Sequence, residues 1–405
     1  MLNFLILGAG PSGLSFAHRL MEIGEESFLI LEKESDAGGL CRSRTVDGSA
    51  LDIGGGHLLD TKRKEVLAFL FKFLPAENWN HFHRNTTIWI NNLEIHYPLE
   101  SNLHEFPEDD QVDHLCALAQ TGEQLGKPKP ITFEDWIRWK FGSKIAEDYM
   151  IPYNKKIWSI DLNCLGTSWL YKLPAVNFHD IIKSCITKKS QAKIPSHTEF
   201  LYPKEGGYGK LWEIVADQLG EKIKYDQKIE QIDIESMVVK TNTQQFSSRH
   251  IISTIPWNNW LGKANFPSQI QDCINKLRHT SLEVGYYRQN LKSDAHWIYI
   301  PDESLPHHRI LNRRTFVTNS RGYWTETNMK RVEMTREIPE WKFVNDYAYP
   351  VDTIEKPQAI KSVLEWGASK NIHGLGRWGR WEHMNSDVAV QEALALADDL
   401  RRRVQ

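Results

Sequence analysis

The chain opens on an unbroken apolar run, residues 2–7, which fits a parallel strand buried on both faces. Gly8-Ala9-Gly10-Pro11-Ser12-Gly13 follows, and then a helical pattern with Leu14, Ala17, His18 and Met21 on one side. A second apolar strand, Phe28–Leu31, ends at Glu32, 19 residues after Gly13. Val66, Phe69, Leu70 and Phe73 recur at helical spacing within residues 61–74. Residues 86–98 read as a hairpin: Ile88-Trp89-Ile90, a turn at Asn91-Asn92, and a return strand to Tyr97. Residues 131–192 read mainly as helices, with Gly142 and Gly166 as their glycines and Trp136, Trp139, Trp158 and Trp169 among their apolar positions. A glycine turn at Gly206-Gly207-Tyr208-Gly209 precedes a helix over 210–219, and strands are predicted over 229–232, 238–239 and 251–255. Residues 280–350 hold several strand candidates, and a helix over 388–401 closes the chain. Asp387 suits its N-cap, and Arg401 to Arg403 suit its negative end.

Strand, glycine loop, helix, second strand and terminal acid together form a dinucleotide-binding unit. The first glycine permits the tight turn, the second lets backbone approach a pyrophosphate, and the third lets helix and strand pack closely. Free N–H groups at the helix start meet phosphate charge, and Glu32 can accept hydrogen bonds from a ribose. Gly374-Leu375-Gly376-Arg377-Trp378-Gly379 repeats the glycine spacing. Only 26 residues follow Gly379, too few for a βαβ unit of roughly 30, so it reads as an ordinary loop.

The segment after Glu32-Lys33 chooses the nucleotide. Gly38-Gly39-Leu40-Cys41-Arg42-Ser43 and then Asp52-Ile53-Gly54-Gly55-Gly56-His57 come in the order seen in a large flavoprotein group. That group contains the amine oxidases, protoporphyrinogen oxidases and UDP-galactopyranose mutases. The resemblance implies FAD, with the paired glycines extending the pyrophosphate site and the second glycine stretch passing the isoalloxazine ring. The fold class expected is α/β: a Rossmann-type FAD-binding domain with a helical subdomain and an antiparallel-sheet substrate domain. The FAD-binding domain is expected in three parts, residues 1–85, 201–260 and 351–405. Between them come a hairpin and sheet-linked insertion (86–130), a helical subdomain (131–200) and the substrate-domain sheet (261–350).

Composition narrows the setting. With 405 residues, 41% of them hydrophobic and 25% charged, the chain can bury a sizeable core in two or three subdomains. Its net charge of −3 gives no basic field for nucleic acid or an anionic membrane. The longest apolar segment, residues 66–74, is interrupted by Lys72 and falls far short of the roughly 20 residues that span a bilayer. The start reads as no secretion signal. Five scattered cysteines without a CxxC pair argue against a disulfide framework or a zinc site and suit a cytoplasmic protein.

Further motifs narrow the resemblance. Gly376-Arg377-Trp378-Gly379 through Asp387 precedes the last helix, which in these flavoproteins points its N-terminus at the flavin pyrimidine. Lys156-Ile157-Trp158-Ser159, the Gly206-Gly207-Tyr208 turn, His308-Arg309 and Tyr349-Pro350-Val351 resemble segments of the UDP-galactopyranose mutases, in the same order. In that family, reduced FAD attacks the anomeric carbon of a nucleotide sugar through N5. The nucleoside diphosphate leaves, the sugar ring opens and recloses as a furanose, and the nucleotide returns with no net redox change. The resemblance therefore implies a nucleotide-sugar substrate, a role in cell-surface polysaccharide biosynthesis, and an external reductant such as NAD(P)H; assembly into an oligomer is left open. A genuine FAD oxidase or dehydrogenase on the same frame is the alternative.

Residue by residue, the resemblance implies Gly8, Gly10, Ser12, Gly13, Glu32 and Lys33 at the nucleotide end of FAD. Gly39, Leu40, Gly55, Gly56, His57, Arg377, Asp387 and Val388 follow toward the ring. Arg309 falls on a family arginine at the leaving diphosphate, and Lys172 stands where the family has a mobile arginine. Trp158 matches a substrate-pocket tryptophan and Tyr349 a tyrosine near flavin and substrate. With His57, the residues Arg309, Lys172 and Tyr349 are the catalytic candidates. His383 departs from the family, which carries a diphosphate-binding tyrosine there.

Overall fold

The computed structural model describes residues 1–170, 177–191 and 198–404. The opening apolar run forms strand Leu2–Leu7, fully buried over its last four residues. It lies at the centre of a seven-stranded sheet. Phe28–Leu31 pairs parallel to it on one side and Gln245–Ser253 on the other. The latter strand serves two neighbours: residues 245–247 pair antiparallel with Val238–Thr241, and residues 248–253 run parallel to the first strand. Ile372–Gly374 adds to its far edge, so segments from both ends of the chain meet in one sheet. Helices Pro11–Glu22 and Ser386–Val404 pack together over this sheet, sharing the core with Phe4, Ile6, Leu14 and Val390.

A second seven-stranded sheet runs in the order Trp341–Pro350, His279–Tyr287, Tyr323–Asn328, Arg309–Leu311, Trp297–Tyr299, Thr86–Ile90, Leu93–His96. It is antiparallel except where Trp297–Tyr299 pairs with Thr86–Ile90. The hairpin of residues 86–96 thus extends this sheet. Its turn has Asn91 and Asn92 both at positive φ, 52° and 61°, as a two-residue turn matched to strand twist requires. The helices Glu108–Ala119, Phe133–Ile145, Ile151–Trp158 and Phe178–Thr187 cover a separate core containing Phe133, Ile137, Trp158 and Ile181. Gly142, at φ 72°, breaks the second of them where a Cβ would come within 2.7 Å of the Ala117 carbonyl.

Two expectations are refined. The last helix begins at Ser386, so Asn385 occupies the cap position and Asp387 is the second helical residue. Gly374-to-Gly379 is a strand end and a short helix against the first glycine loop, where a Cβ on Gly376 would meet Ser12 Oγ at 2.0 Å. All five cysteines are free thiols. Among the described residues, no helix is long and apolar enough to cross a membrane.

Candidate functional site

A cavity opens at the carboxyl ends of strands Leu2–Leu7, Phe28–Leu31 and Gln245–Ser253, lined there by Gly8, Glu32 and Thr254. This is where ligands bind in parallel α/β sheets. Gly10 and Gly39 face one another in its wall: a Cβ built on Gly39 would lie 3.2 Å from Gly10 Cα. Neither residue puts a side chain into this cradle, and a Cβ on Gly39 would be tight. Gly13 has another reason for its identity, because a Cβ there would come 2.1 Å from the Gly8 carbonyl and push helix from strand. Glu32 is held by the Ala9 and Glu34 N–H groups at 2.8 and 3.0 Å, while burial pushes its carboxyl up. Ser12, Lys33 and Leu40 also line the cavity.

The opposite end is lined by His57, Arg377, Met384, Asn385 and Ser386. Arg377 donates to the carbonyls of Ala348 and Met384 and lies over the Tyr349 ring, 5.6 Å from its centroid. Burial pushes its guanidinium down, and none of its described partners is a carboxylate. A half-buried cation so placed suits an anionic or electron-rich ligand. His57 donates from Nδ1 to the Gly55 carbonyl at 3.2 Å and stacks 6.3 Å from the Tyr208 ring. Burial, followed by the charge of Arg377, pushes the His57 imidazole down to about 4. Asp387 and Val388 belong to the adjoining helix turn but do not line the cavity; Asp387 turns to Arg63 at 2.5 Å.

The second glycine stretch is shaped by protein rather than by the cavity. A Cβ on Gly54 would meet the Leu40 carbonyl at 1.9 Å, on Gly55 the Glu326 carboxylate at 2.6 Å, and on Gly56 the Leu311 side chain at 2.2 Å. Gly55 and Gly56 do not line the cavity; their close packing sets the position of His57, which does.

Beside this end stands a buried charge cluster. Arg309 Nη2 donates to Glu326 Oε2 at 2.5 Å and to the Tyr349 hydroxyl at 3.2 Å. Glu326 is fully buried and also accepts the Gly56 N–H at 3.0 Å, with His308 Nε2 at 3.6 Å. Burial opposes its charge, but Arg309, helped by His308, outweighs burial and holds the carboxyl well below the ordinary range. Arg309 Nε is buried with no hydrogen-bond partner among the described residues. The His383 ring lies 4.9 Å from Tyr349. Trp158 sits in the helical core with its indole N–H on Asn154 at 3.1 Å. Lys156, from the same helix, donates to the carbonyls of Ile300 and Asp302 at 2.8 and 2.6 Å and so anchors the loop leading to Arg309. Burial pulls its ammonium down to about 7. Lys172 lies outside the described residues.

Known proteins similar to this chain match it over nearly its whole length. Residues 6–73 match the family model described as an NAD(P)-binding Rossmann-like domain. Over 98% of its length the chain is 23% identical to the UDP-galactopyranose mutase of Mycoplasma pneumoniae, covering 96% of that protein. The crystal structure of a reduced UDP-galactopyranose mutase superposes with a TM-score of 0.87, at 22% identity, over 99% of this chain and 94% of that one. The chain is similar to UDP-galactopyranose mutases over nearly its whole length. By contrast, amine oxidase A of Equus caballus is 24% identical over 63% of this chain and 50% of its own length. The mutase likeness spans both sheets and the helical region. That full-length match shows a shared fold.

Three residues of the site were missed in the sequence. Glu326 carried a signal: in Tyr323–Asn328 it alternates onto the same face as buried Trp324, where a lone carboxylate needs a partner. Tyr208 carried one in the Gly206-Gly207-Tyr208 turn, though its partner Ser386 is 178 residues away; Arg63 carried none, because Asp387 is 324 residues away.

Proposed function

We propose that this protein is a flavin-dependent nucleotide-sugar mutase that interconverts pyranose and furanose forms, acting in the cytoplasm in polysaccharide biosynthesis. The observation that carries the reading is Arg309: a half-buried guanidinium braced by Glu326 and Tyr349, with a buried, unpaired Nε among the described residues, next to the cation-bearing end of a dinucleotide cavity. A buried donor without a partner costs about 1–3 kcal/mol, and a diphosphate oxygen would satisfy it.

The residues present fit FAD. The Gly10–Gly39 cradle admits a pyrophosphate, Glu32 suits the ribose, and the unneutralised Arg377 suits the electron-rich ring end. Bound in reduced form, with an external reductant such as NAD(P)H to recharge it, FAD would supply a nucleophilic N5 and require no net oxidation of substrate. The chain's own work is then binding and charge. Arg309 would hold the leaving diphosphate and stabilise its negative charge. Tyr349, bonded to Arg309 and beneath Arg377, would orient the sugar between the two cations. His57 would stay neutral beside the ring, and Trp158 and Lys172 would belong to the substrate side. His383, in place of the family's tyrosine, favours a sugar or nucleotide other than UDP-galactose.

Calorimetric titration with a panel of nucleoside diphosphates tests the reading. At least one should bind the wild-type holoenzyme and bind Arg309→Ala at least tenfold more weakly. Absence of nucleotide binding across the panel would remove the diphosphate site.

A further inference from the structure

The loop that carries His57 runs on to Arg63, and Arg63 reaches back across the fold. Its Nη1 lies 2.5 Å from Oδ2 of Asp387, in the first turn of helix Ser386–Val404. The carboxylate side chain is 4% exposed and the guanidinium 43%. Asn385 and Ser386, the residues just before Asp387, line the ring end of the cavity. Ser386 Oγ also bonds the Tyr208 hydroxyl at 2.6 Å, and the Tyr208 ring stacks on His57. One ion pair therefore fastens the His57 loop to the helix end that faces the cavity.

The charges have a definite order. The N-terminus of a helix carries about half a positive charge. Asp387 places a full negative charge in that same turn, buried one residue behind the cavity wall. Arg63 cancels it, and the helix end can then act as a positive pole. Without Arg63, the charge closest behind Ser386 would be an uncompensated carboxylate.

We propose that Arg63 is a positioning residue which, through Asp387, keeps the ring end of the cavity favourable to anionic reduced flavin. This rests on the flavin reading of the cavity. A charge that favours reduced over oxidised flavin raises the reduction potential, by about 30 mV for each tenfold change in the affinity ratio of a two-electron couple.

The test is the flavin content and two-electron midpoint potential of the wild-type holoenzyme and of Arg63→Gln, Asp387→Asn and the double variant. All should retain flavin. Arg63→Gln should fall below wild type by the equivalent of at least a tenfold affinity ratio, about 30 mV. Asp387→Asn should lie at or above wild type, and the double variant should return toward it. A residue with only a structural role would leave the double variant no better than Arg63→Gln. Equal potentials in flavin-loaded wild type and Arg63→Gln would overturn the proposal while leaving the flavin reading intact. A wild-type protein that cannot be loaded with flavin would overturn both. If Arg63→Gln does not fold, Asp387→Asn carries the test, and a potential below wild type overturns the proposal.

Discussion

Glu326 ties Arg309 to the loop that carries His57: one carboxylate oxygen takes the Arg309 guanidinium at 2.5 Å, and the other takes the Gly56 N–H at 3.0 Å. Gly55 makes this possible, since a Cβ there would strike Glu326 Oε1. The candidate diphosphate cation and the candidate flavin-facing loop are thereby held in one frame by a fully buried acid.

Arg309→Ala should therefore have two signatures. Losing a charge-assisted contact to the diphosphate, worth about 1.5–3 kcal/mol, should lower kcat/KM about tenfold or more, at about 1.36 kcal/mol per tenfold. Glu326 would also lose its guanidinium partner and keep only the Gly56 N–H and His308, and removing one partner of a buried pair costs up to about 3–5 kcal/mol. Flavin content should be unchanged. Steady-state kinetics and chemical unfolding check the two effects separately, and unchanged kinetics would take Arg309 out of the site.

The glycines of the first loop should fail in different ways. Gly10→Val fills the cradle opposite Gly39, so the protein should fold but lose its yellow flavin spectrum. Gly13→Ala puts a methyl 2.1 Å from the Gly8 carbonyl, so it should cost fold stability, about 1–3 kcal/mol as overpacking does. Absorbance of the purified variants and urea unfolding report the two outcomes. A full flavin spectrum in Gly10→Val would contradict the assignment of the cradle.

His57 should shape the acid limb of stability. Its folded value near 4 lies below the ordinary 6.5 because of burial first and Arg377 second. Between these values the unfolded chain binds the extra proton, so the contribution is fully present above about pH 6.5 and is lost as pH falls toward 4. His57→Gln cannot titrate and should flatten the stability difference between pH 7 and pH 4, by on the order of 2 kcal/mol. Urea unfolding of both proteins across this range gives the comparison; parallel pH curves would show that His57 is not held neutral.

Much of this architecture is written in local pattern. The first strand, glycine loop and helix follow from an apolar run, a tight turn and a helical period within about 25 residues. The hairpin at Asn91-Asn92 follows from two residues that tolerate positive φ. The start of the last helix was harder, because Asn385, Ser386 and Asp387 are all capping types. Their choice is settled by distant partners: Tyr208 takes Ser386 and Arg63 takes Asp387. The three glycines before His57 look like a ligand loop in the sequence, yet their space is claimed by Leu40, Glu326 and Leu311. Contacts across hundreds of residues have no local signature, and one of them, Glu326 with the Gly56 N–H, joins the Arg309 cluster to the His57 loop, while the pairs within the cluster lie 17 and 40 residues apart.

Redox-neutral catalysis by a reduced flavin separates a mutase from an oxidase. The most direct measurement follows pyranose-to-furanose conversion over a panel of nucleotide sugars, using dithionite-reduced holoenzyme under anaerobic conditions, with reductant consumption recorded alongside. Many turnovers per reduced flavin are expected, with no stoichiometric use of reductant and no turnover from oxidised enzyme. Substrate-dependent bleaching of oxidised flavin with hydrogen peroxide formed in air, and no furanose from any sugar, would contradict that expectation and favour an oxidase.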